Sequence, residues 1–270
     1  MKIAVVAPSC SLNPKVAAAV QEIADKRGDC ELVIHPQCFL KDGHFAGPDS
    51  ARLAALREVL SDESVGAVWC ARGGYGSNRV APELSADLPP AARGKIVMGF
   101  SDAGFLLGGL YNAGVEVAWG PMLSDIVRTG GEAAIHRALD WIVRRDPASL
   151  ETGIQEPAMA FNLTVLSAML GTPLEPDFTG VDLLIEDVAE QLYRIDRAMF
   201  HVSSSENVRR VARIRLGRVA GIVPNDPEFA IDEVAIFEEW CARSGIPYGG
   251  RADIGHDVDN KVVPFPVRRS

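Results

Sequence analysis

The chain has 270 residues, 47% hydrophobic and 23% charged, enough for one large domain or two modest ones with proper cores, so disorder is excluded as the default. Lys and Arg total 27 against 36 Asp and Glu, and the net charge of -9 without a basic run argues against broad nucleic-acid binding. The five cysteines, Cys10, Cys30, Cys38, Cys70 and Cys241, are scattered and form no Cys-x-x-Cys pair, which fits reduced thiols better than disulfides or a zinc site.

Taken in chain order, Ile3 to Ala7 reads as a β-strand, and Pro8 stops this apolar run short of a signal-peptide core or a membrane span. A cytoplasmic protein without membrane attachment is therefore expected. Val16 to Lys26 carries apolar residues at helical spacing, with Gly28 as C-cap. Glu31 to His35 reads as the next strand, and Ser50 as the N-cap of an amphipathic helix. Gly66 to Cys70 is a buried strand running into Arg72-Gly-Gly-Tyr-Gly-Ser77. Lys95 to Gly99 is a strand followed by a helix over Phe105 to Tyr111. Val115 to Ala118 is again strand, and Ala133 to Arg144 a long helix.

Residues 145 to 157 lose periodicity and carry two prolines, which marks a linker. Beyond it come a helix near Leu163 to Leu170, a strand at Leu183 to Glu186 and a helix around Tyr193 to Phe200. A strand at Val219 to Val223 and a helix near Glu233 to Arg243 follow. The alternation predicts an α/β fold: a Rossmann-like N-terminal domain with a mostly parallel sheet over 1–147, a linker over 148–160, and a smaller mixed α/β domain over 161–270. Sites in such sheets gather where strands end, as Arg72 to Ser77 and Gly99 to Gly104 do.

Gly99-Phe-Ser-Asp-Ala-Gly104 runs from an apolar strand through a small-residue turn into a helix. That is the layout of a nucleophile elbow, which lifts a serine hydroxyl clear of the sheet and aims helix N–H groups at an oxyanion. The second glycine falls one residue later than in Gly-x-Ser-x-Gly, and the plainer reading is that Ser101-Asp102 caps a helix. Arg72 to Ser77 can present N–H groups as an anion nest but lacks the end of a P-loop; the alternative is an ordinary strand-to-helix turn. His256, in the polar loop Asp253-Ile-Gly-His-Asp257, is placed to act as a base; His35, His44, His136 and His201 are weaker candidates. Glu186-Asp187 ends an apolar strand, where an acid can orient a histidine or merely face solvent. Ligand spacing for a metal is absent, so no metal is expected.

Together these segments resemble the LD-carboxypeptidase (muramoyltetrapeptide carboxypeptidase) family over nearly the whole chain. Ala7-Pro-Ser9, Arg72 to Ser77, Gly99-Phe-Ser-Asp102 and Gly120-Pro-Met122 carry the likeness in the first half. Asn162-Leu163, Gly171-Thr-Pro173, Ile185-Glu-Asp-Val188, Tyr193-Arg-Ile-Asp-Arg197 and Gly255-His256 carry it in the second. The resemblance implies Ser101 as nucleophile, Glu186 as acid and His256 as base, at a site between two domains. Backbone N–H groups of Gly74 and Asp102 are expected to form the oxyanion hole. Arg72, Arg79 and Arg194 are candidates for a substrate carboxylate, and Tyr75, Trp119 and Asn162 complete the expected substrate-binding set. The implied reaction releases D-alanine from a muropeptide tetrapeptide in cell-wall recycling, without cofactor, in a homodimer.

Three departures from the family pattern bear on the pocket: Ala160-Phe161 where Gly-Gly is common, an ending Pro264-Phe-Pro-Val267 without a following glycine, and a rather short chain. One alternative is a hydrolase on the same scaffold that inactivates peptide–nucleotide antibiotics, with Trp119 or Phe161 as a base platform. Another is a non-catalytic protein that binds a small anion at Arg72 to Ser77.

Overall fold

The computed structural model describes residues 1–154 and 157–266. Gln155 and Glu156 of the expected linker, and Val267 of the ending, lie outside the described residues.

The first sheet is built from β1 (Lys2–Val6), β2 (Glu31–Ile34), β3 (Val65–Cys70), β4 (Ile96–Gly99) and β5 (Glu116–Trp119), all parallel, with β10 (Val263–Pro264) antiparallel at one edge. The order is β10-β5-β4-β3-β1-β2, so the winding reverses between β1 and β3. Loops leaving the carboxyl ends of those two strands diverge there and open a crevice. Alternation along each strand splits the core. Ile3, Val5, Trp69 and Met98 pack on one face with α1 (Pro14–Arg27) and α5 (Gly131–Arg144). Ala4, Val6, Val68 and Val97 face α2 (Asp49–Ser61), α3 (Ala81–Ala86) and α4 (Gly104–Asn112).

The second sheet is parallel throughout, in the order β6-β7-β8-β9 from β6 (Ala158–Asn162), β7 (Asp182–Val188), β8 (Arg213–Ala220) and β9 (Tyr248–Arg251). Helices α6 (Leu163–Met169), α7 (Leu192–Ser204) and α8 (Glu233–Ser244) cover it. Its core is continuous with that of the first sheet, and the Phe161 ring sits between Phe178 and Phe265. The chain is thus an α/β protein with a mostly parallel Rossmann-like sheet and a second parallel sheet.

The expected linker, 148–160, reaches into β6, which starts at Ala158. Glu151 in this stretch is buried and accepts two hydrogen bonds from Arg215 of β8, at 2.8 and 2.9 Å. Strand β10, from the expected C-terminal domain, joins the first sheet. Helix α2 begins at Asp49 behind Pro48, so Ser50 lies inside it and is not its N-cap. The strand expected at Val219 to Val223 is centred earlier, in β8; Val223 makes only an isolated bridge to Gln191. No helix among the described residues is long and apolar enough to cross a membrane.

Candidate active site

Ser101 follows β4 and Phe100 with φ 58°, a left-handed backbone that a serine adopts only under strain. The carboxylate of Asp102 holds this turn. It accepts from the Ser9 hydroxyl after β1, from the Ser77 N–H at 2.9 Å and from the Gly76 N–H at 3.3 Å after β3. The Ser77 hydroxyl in turn donates to the Asp102 carbonyl. One buried carboxylate thereby ties three loops at the carboxyl edge of the sheet. Gly73 packs so close that a Cβ there would sit 3.1 Å from Ser101 Oγ. Gly74, at φ 119°, keeps its N–H without a hydrogen-bond partner among the described residues.

Glu186 and His256 come from the second half of the chain. Glu186 is fully buried on β7, and His256 stands in the loop after β9 with a side chain 11% exposed. His256 Nδ1 lies 2.5 Å from Glu186 Oε2, and Nε2 lies 3.0 Å from Ser101 Oγ. A carboxylate oxygen accepts, so the proton of the first pair sits on Nδ1 and Nε2 faces the serine hydroxyl as acceptor. The arrangement can pass a hydroxyl proton to the imidazole and hold the imidazolium that forms. The sequence candidates Ser101, Glu186 and His256 therefore meet in one hydrogen-bonded chain.

Several residues hold the His256 loop. Arg218 donates to Asp257, at 2.8 Å from Nη2 to Oδ1 and also from Nε, and donates to Asp253 through Nη1 at 2.5 Å. A register shift in the β7–β8 pairing falls at Gly217-Arg218, where two residues separate the partners of Ile185 and Asp187. The buried Asn260 Oδ1 accepts from Trp119 Nε1 at 2.9 Å and from the Gly255 N–H at 3.2 Å. The His256 ring packs on Phe100, and Phe100 on Trp119. Burial pushes the Asp125 carboxyl up, against the opposing pull of Arg128.

Behind the acid stands Asn162. Its amide donates to Asp187 at 2.8 Å and to Glu186 at 3.3 Å, and its oxygen accepts the Val165 N–H, capping α6. Asp187 also accepts from Thr164 at 3.1 Å and from the Val188 N–H at 2.9 Å. Burial, with the charge of Glu186 beside it, pushes the Asp187 carboxyl up to about 6.

A cavity of about 280 Å³ opens beside Ser101, lined among others by Gly74, Tyr75, Phe105, Val165, Asp187 and Glu190. Of the expected substrate contacts, Tyr75 is exposed on its rim and Asn162 reaches its floor. Trp119 and Phe161 are fully buried, so neither ring offers a platform to a ligand; their environments satisfy them inside the core. Arg79 is paired with Asp49 at 2.8 Å and does not line this cavity, and Arg194 faces Glu190 at 3.6 Å. Arg72 makes only long contacts to the carbonyls of Gly73 and Ser11, at 3.3 and 3.4 Å. Among the described residues no group of three or more His, Cys, Asp or Glu side chains could hold a metal.

Sequence reasoning missed Arg218 and Asn260, and named Ser9 only as part of a family motif. The acids flanking His256 were a signal for a cationic clamp. Nothing local marks Asn260.

Residues 3–120 match the LD-carboxypeptidase N-terminal domain, and residues 157–269 match the LD-carboxypeptidase C-terminal domain. A murein tetrapeptide carboxypeptidase of Pseudomonas aeruginosa is 26% identical over 283 residues, covering 98% of this chain and 91% of that protein. The crystal structure of muramoyltetrapeptide carboxypeptidase from Oxalobacter formigenes shares the fold with a TM-score of 0.83 at 24% identity, over 98% of this chain and 92% of that one. The microcin C7 self-immunity protein MccF, in its wild-type apo state, shares it with a TM-score of 0.77 at 17% identity, over 99% and 96%. With both of its domains matched, the chain belongs to the LD-carboxypeptidase family of serine peptidases.

Proposed function

We propose that this protein is a carboxypeptidase that hydrolyses the amide bond to a C-terminal D-amino acid, releasing D-alanine from a muropeptide tetrapeptide in peptidoglycan recycling. The observation that carries the reading is the chain Ser101–His256–Glu186, with contacts of 3.0 and 2.5 Å. The relatedness to a murein tetrapeptide carboxypeptidase supports the substrate.

In this reading Ser101 gives its proton to His256 Nε2 and attacks the scissile carbonyl. The N–H groups of Gly74 and Asp102 face the oxyanion, and Glu186 holds the imidazolium through Nδ1–H. His256 then protonates the leaving amine, and water releases the acyl-enzyme by the reverse proton transfers. The terminal carboxylate needs a cation. Arg72 suits it best, because Arg79 and Arg194 already face carboxylates while Arg72 contacts only backbone carbonyls. The homodimer belongs to the same proposal; sedimentation showing only a 29.0 kDa species at micromolar concentration overturns that part.

A peptide–nucleotide hydrolase is the second reading, favoured by the fold shared with MccF and by the exposed Tyr75 ring at the cavity rim. The test is D-alanine release from L-Ala-γ-D-Glu-meso-diaminopimelate-D-Ala by wild type and by His256→Ala. Release by wild type alone is the expected result. A well-folded wild type that releases nothing overturns the tetrapeptide reading and turns attention to the nucleotide conjugates.

A further inference from the structure

Arg52 is a charged side chain that helix α2 turns inward, as fully buried as the tryptophans Trp69 and Trp119. Its Cζ stands 4.7 Å from the centre of the Phe45 ring, and Nη2 donates to Asp49, one turn earlier on the helix. Nη1 donates to two backbone carbonyls, those of Pro8 and Gly76, the second at 2.8 Å. A guanidinium is far more costly to remove from water than an apolar side chain of similar size. Its Nε, buried without a hydrogen-bond partner among the described residues, adds to that cost. Methionine would fill the same space. The Asp49 contact does not call for burial either, since that side chain is 39% exposed and also pairs with Arg79. What the buried cation adds is the bridge between the two carbonyls.

Both carbonyls belong to segments that build the candidate site. Pro8 precedes Ser9, whose hydroxyl donates to Asp102. Gly76 donates its own N–H to Asp102 at 3.3 Å and presents its carbonyl to Arg52. The loops after β1 and β3 are therefore clasped twice: Asp102 collects their donors, and Arg52 their acceptors. The fit is close, because a Cβ on Gly76 would stand 2.7 Å from the Phe45 ring and 3.0 Å from Arg52 Nη1. The Gly76 carbonyl also accepts the Arg79 N–H at 3.2 Å. That contact is local to the turn, whereas the tie across to Pro8 runs through Arg52. Gly74, two residues before this anchor, carries the N–H that the proposed mechanism turns toward the oxyanion.

We propose that Arg52 is a positioning residue: by bridging the Pro8 and Gly76 carbonyls it fixes the turn over 73–77 so that the Gly74 N–H faces the oxyanion. The assignment rests on the carboxypeptidase reading above, which makes that N–H a donor in the reaction. An oxyanion forms only as the carbonyl is attacked, so a displaced donor lowers kcat and leaves KM nearly unchanged. Loss of packing alone lowers stability and leaves kcat as it was.

The experiment measures kcat and KM for D-alanine release from L-Ala-γ-D-Glu-meso-diaminopimelate-D-Ala, at a temperature where circular dichroism shows each variant folded. Arg52→Met, which fills the space without donating, is expected to lose about tenfold in kcat with KM within about twofold of wild type. Arg52→Lys supplies one nitrogen that can meet both carbonyls, as Nη1 does, on a shorter stem, so its loss is only about threefold. Gly74→Ala already displaces the donor, and adding Arg52→Met to it lowers kcat no further. Asp49→Asn removes the ion pair but not the bridge, and keeps kcat within about twofold of wild type. The assignment is overturned by an unchanged kcat in Arg52→Met, by a lysine variant no better than the methionine one, by losses that multiply in the double variant, or by an Asp49→Asn loss as large as that of Arg52→Met. If Arg52→Met does not fold, Arg52→Lys carries the same test: its loss in kcat vanishes in the Gly74→Ala background, and a loss that persists there, or falls on KM instead, overturns the assignment. All of these outcomes leave the carboxypeptidase reading intact. A wild type that releases no D-alanine overturns that reading, and the assignment with it.

Discussion

Around Ser101 the backbone does the holding: a left-handed residue at φ 58°, Gly73 pressed against it, and loop N–H groups gathered on the Asp102 carboxylate. Around His256 the work falls to side chains from distant positions, with Arg218 on Asp253 and Asp257, Asn260 on Gly255, and Asn162 behind Glu186. The first region sits at the carboxyl edge of the sheet beside its switch point, where the loops after β1, β3 and β4 are neighbours, so short local segments suffice. The second is a loop without a regular element of its own, and a ring there stays in place only if charged and amide groups fix its neighbours. The serine is thus positioned by strain, and the histidine by a hydrogen-bonded frame.

That contrast ranks the expected effects of substitution. Ser101→Ala removes the proposed nucleophile from an intact turn, and turnover of the tetrapeptide is expected to fall at least about a thousandfold while the circular dichroism spectrum stays unchanged. Wild-type-like turnover would remove Ser101 from the mechanism. Gly74→Ala tests the backbone half alone. Its Cβ would meet Cys10 Sγ at 2.5 Å in a left-handed position, so the nest must shift, and kcat is expected to fall about a hundredfold, as for loss of an oxyanion donor. An unchanged kcat there would show that the nest has no part in catalysis.

Arg218→Met tests the side-chain half. It releases the two acids that flank His256, and kcat should fall about tenfold through misplacement of the ring, with a smaller change in KM. Arg218→Lys should restore little of this, because an ammonium cannot span both carboxylates as a guanidinium does. Full recovery by lysine would mean that charge alone, not the forked geometry, holds the loop.

The smallest effect is on stability. Burial raises the Asp187 carboxyl to about 6, so the folded protein binds this proton more tightly than the unfolded chain does. Stability tied to this group is then greatest below about pH 4 and declines as pH rises through about 6. Asp187→Asn should flatten that part of the denaturation midpoint against pH between about 4 and 6. An unaltered slope would mean that Asp187 ionises in the folded protein as it does in the unfolded chain.

Much of the first sheet was legible because its signals are local. Helix α1 ends at Gly28 in the left-handed conformation that its C-cap position suggested, and the strand–turn–helix around Ser101 is contained in a few residues. Strand β9 escaped notice because Tyr248-Gly-Gly-Arg251 reads as a loop; its pairing with β8 supplies what propensity lacks. Strand β8 was displaced in the reading because Arg213 and Arg215 interrupt its apolar run. Those arginines are accommodated by Asp182 and Glu151, far away in sequence. Trp119 was expected to contact substrate, since nothing local shows that Asn260, 141 residues later, accepts its indole N–H. The histidine and its acid were legible only as candidates, because their meeting depends on two sheets coming together.

The order of the parts along the chain has a consequence for biosynthesis. Ser101 is made first, Glu186 next, and His256 later still, followed by the strand that pairs with Ala118 and Trp119 beside the serine. A nascent chain that has completed the five parallel strands of the first sheet carries the hydroxyl but not yet the histidine that the proposed mechanism makes its base. On that mechanism the translating cell meets a hydrolase that stays unarmed until His256 has been added.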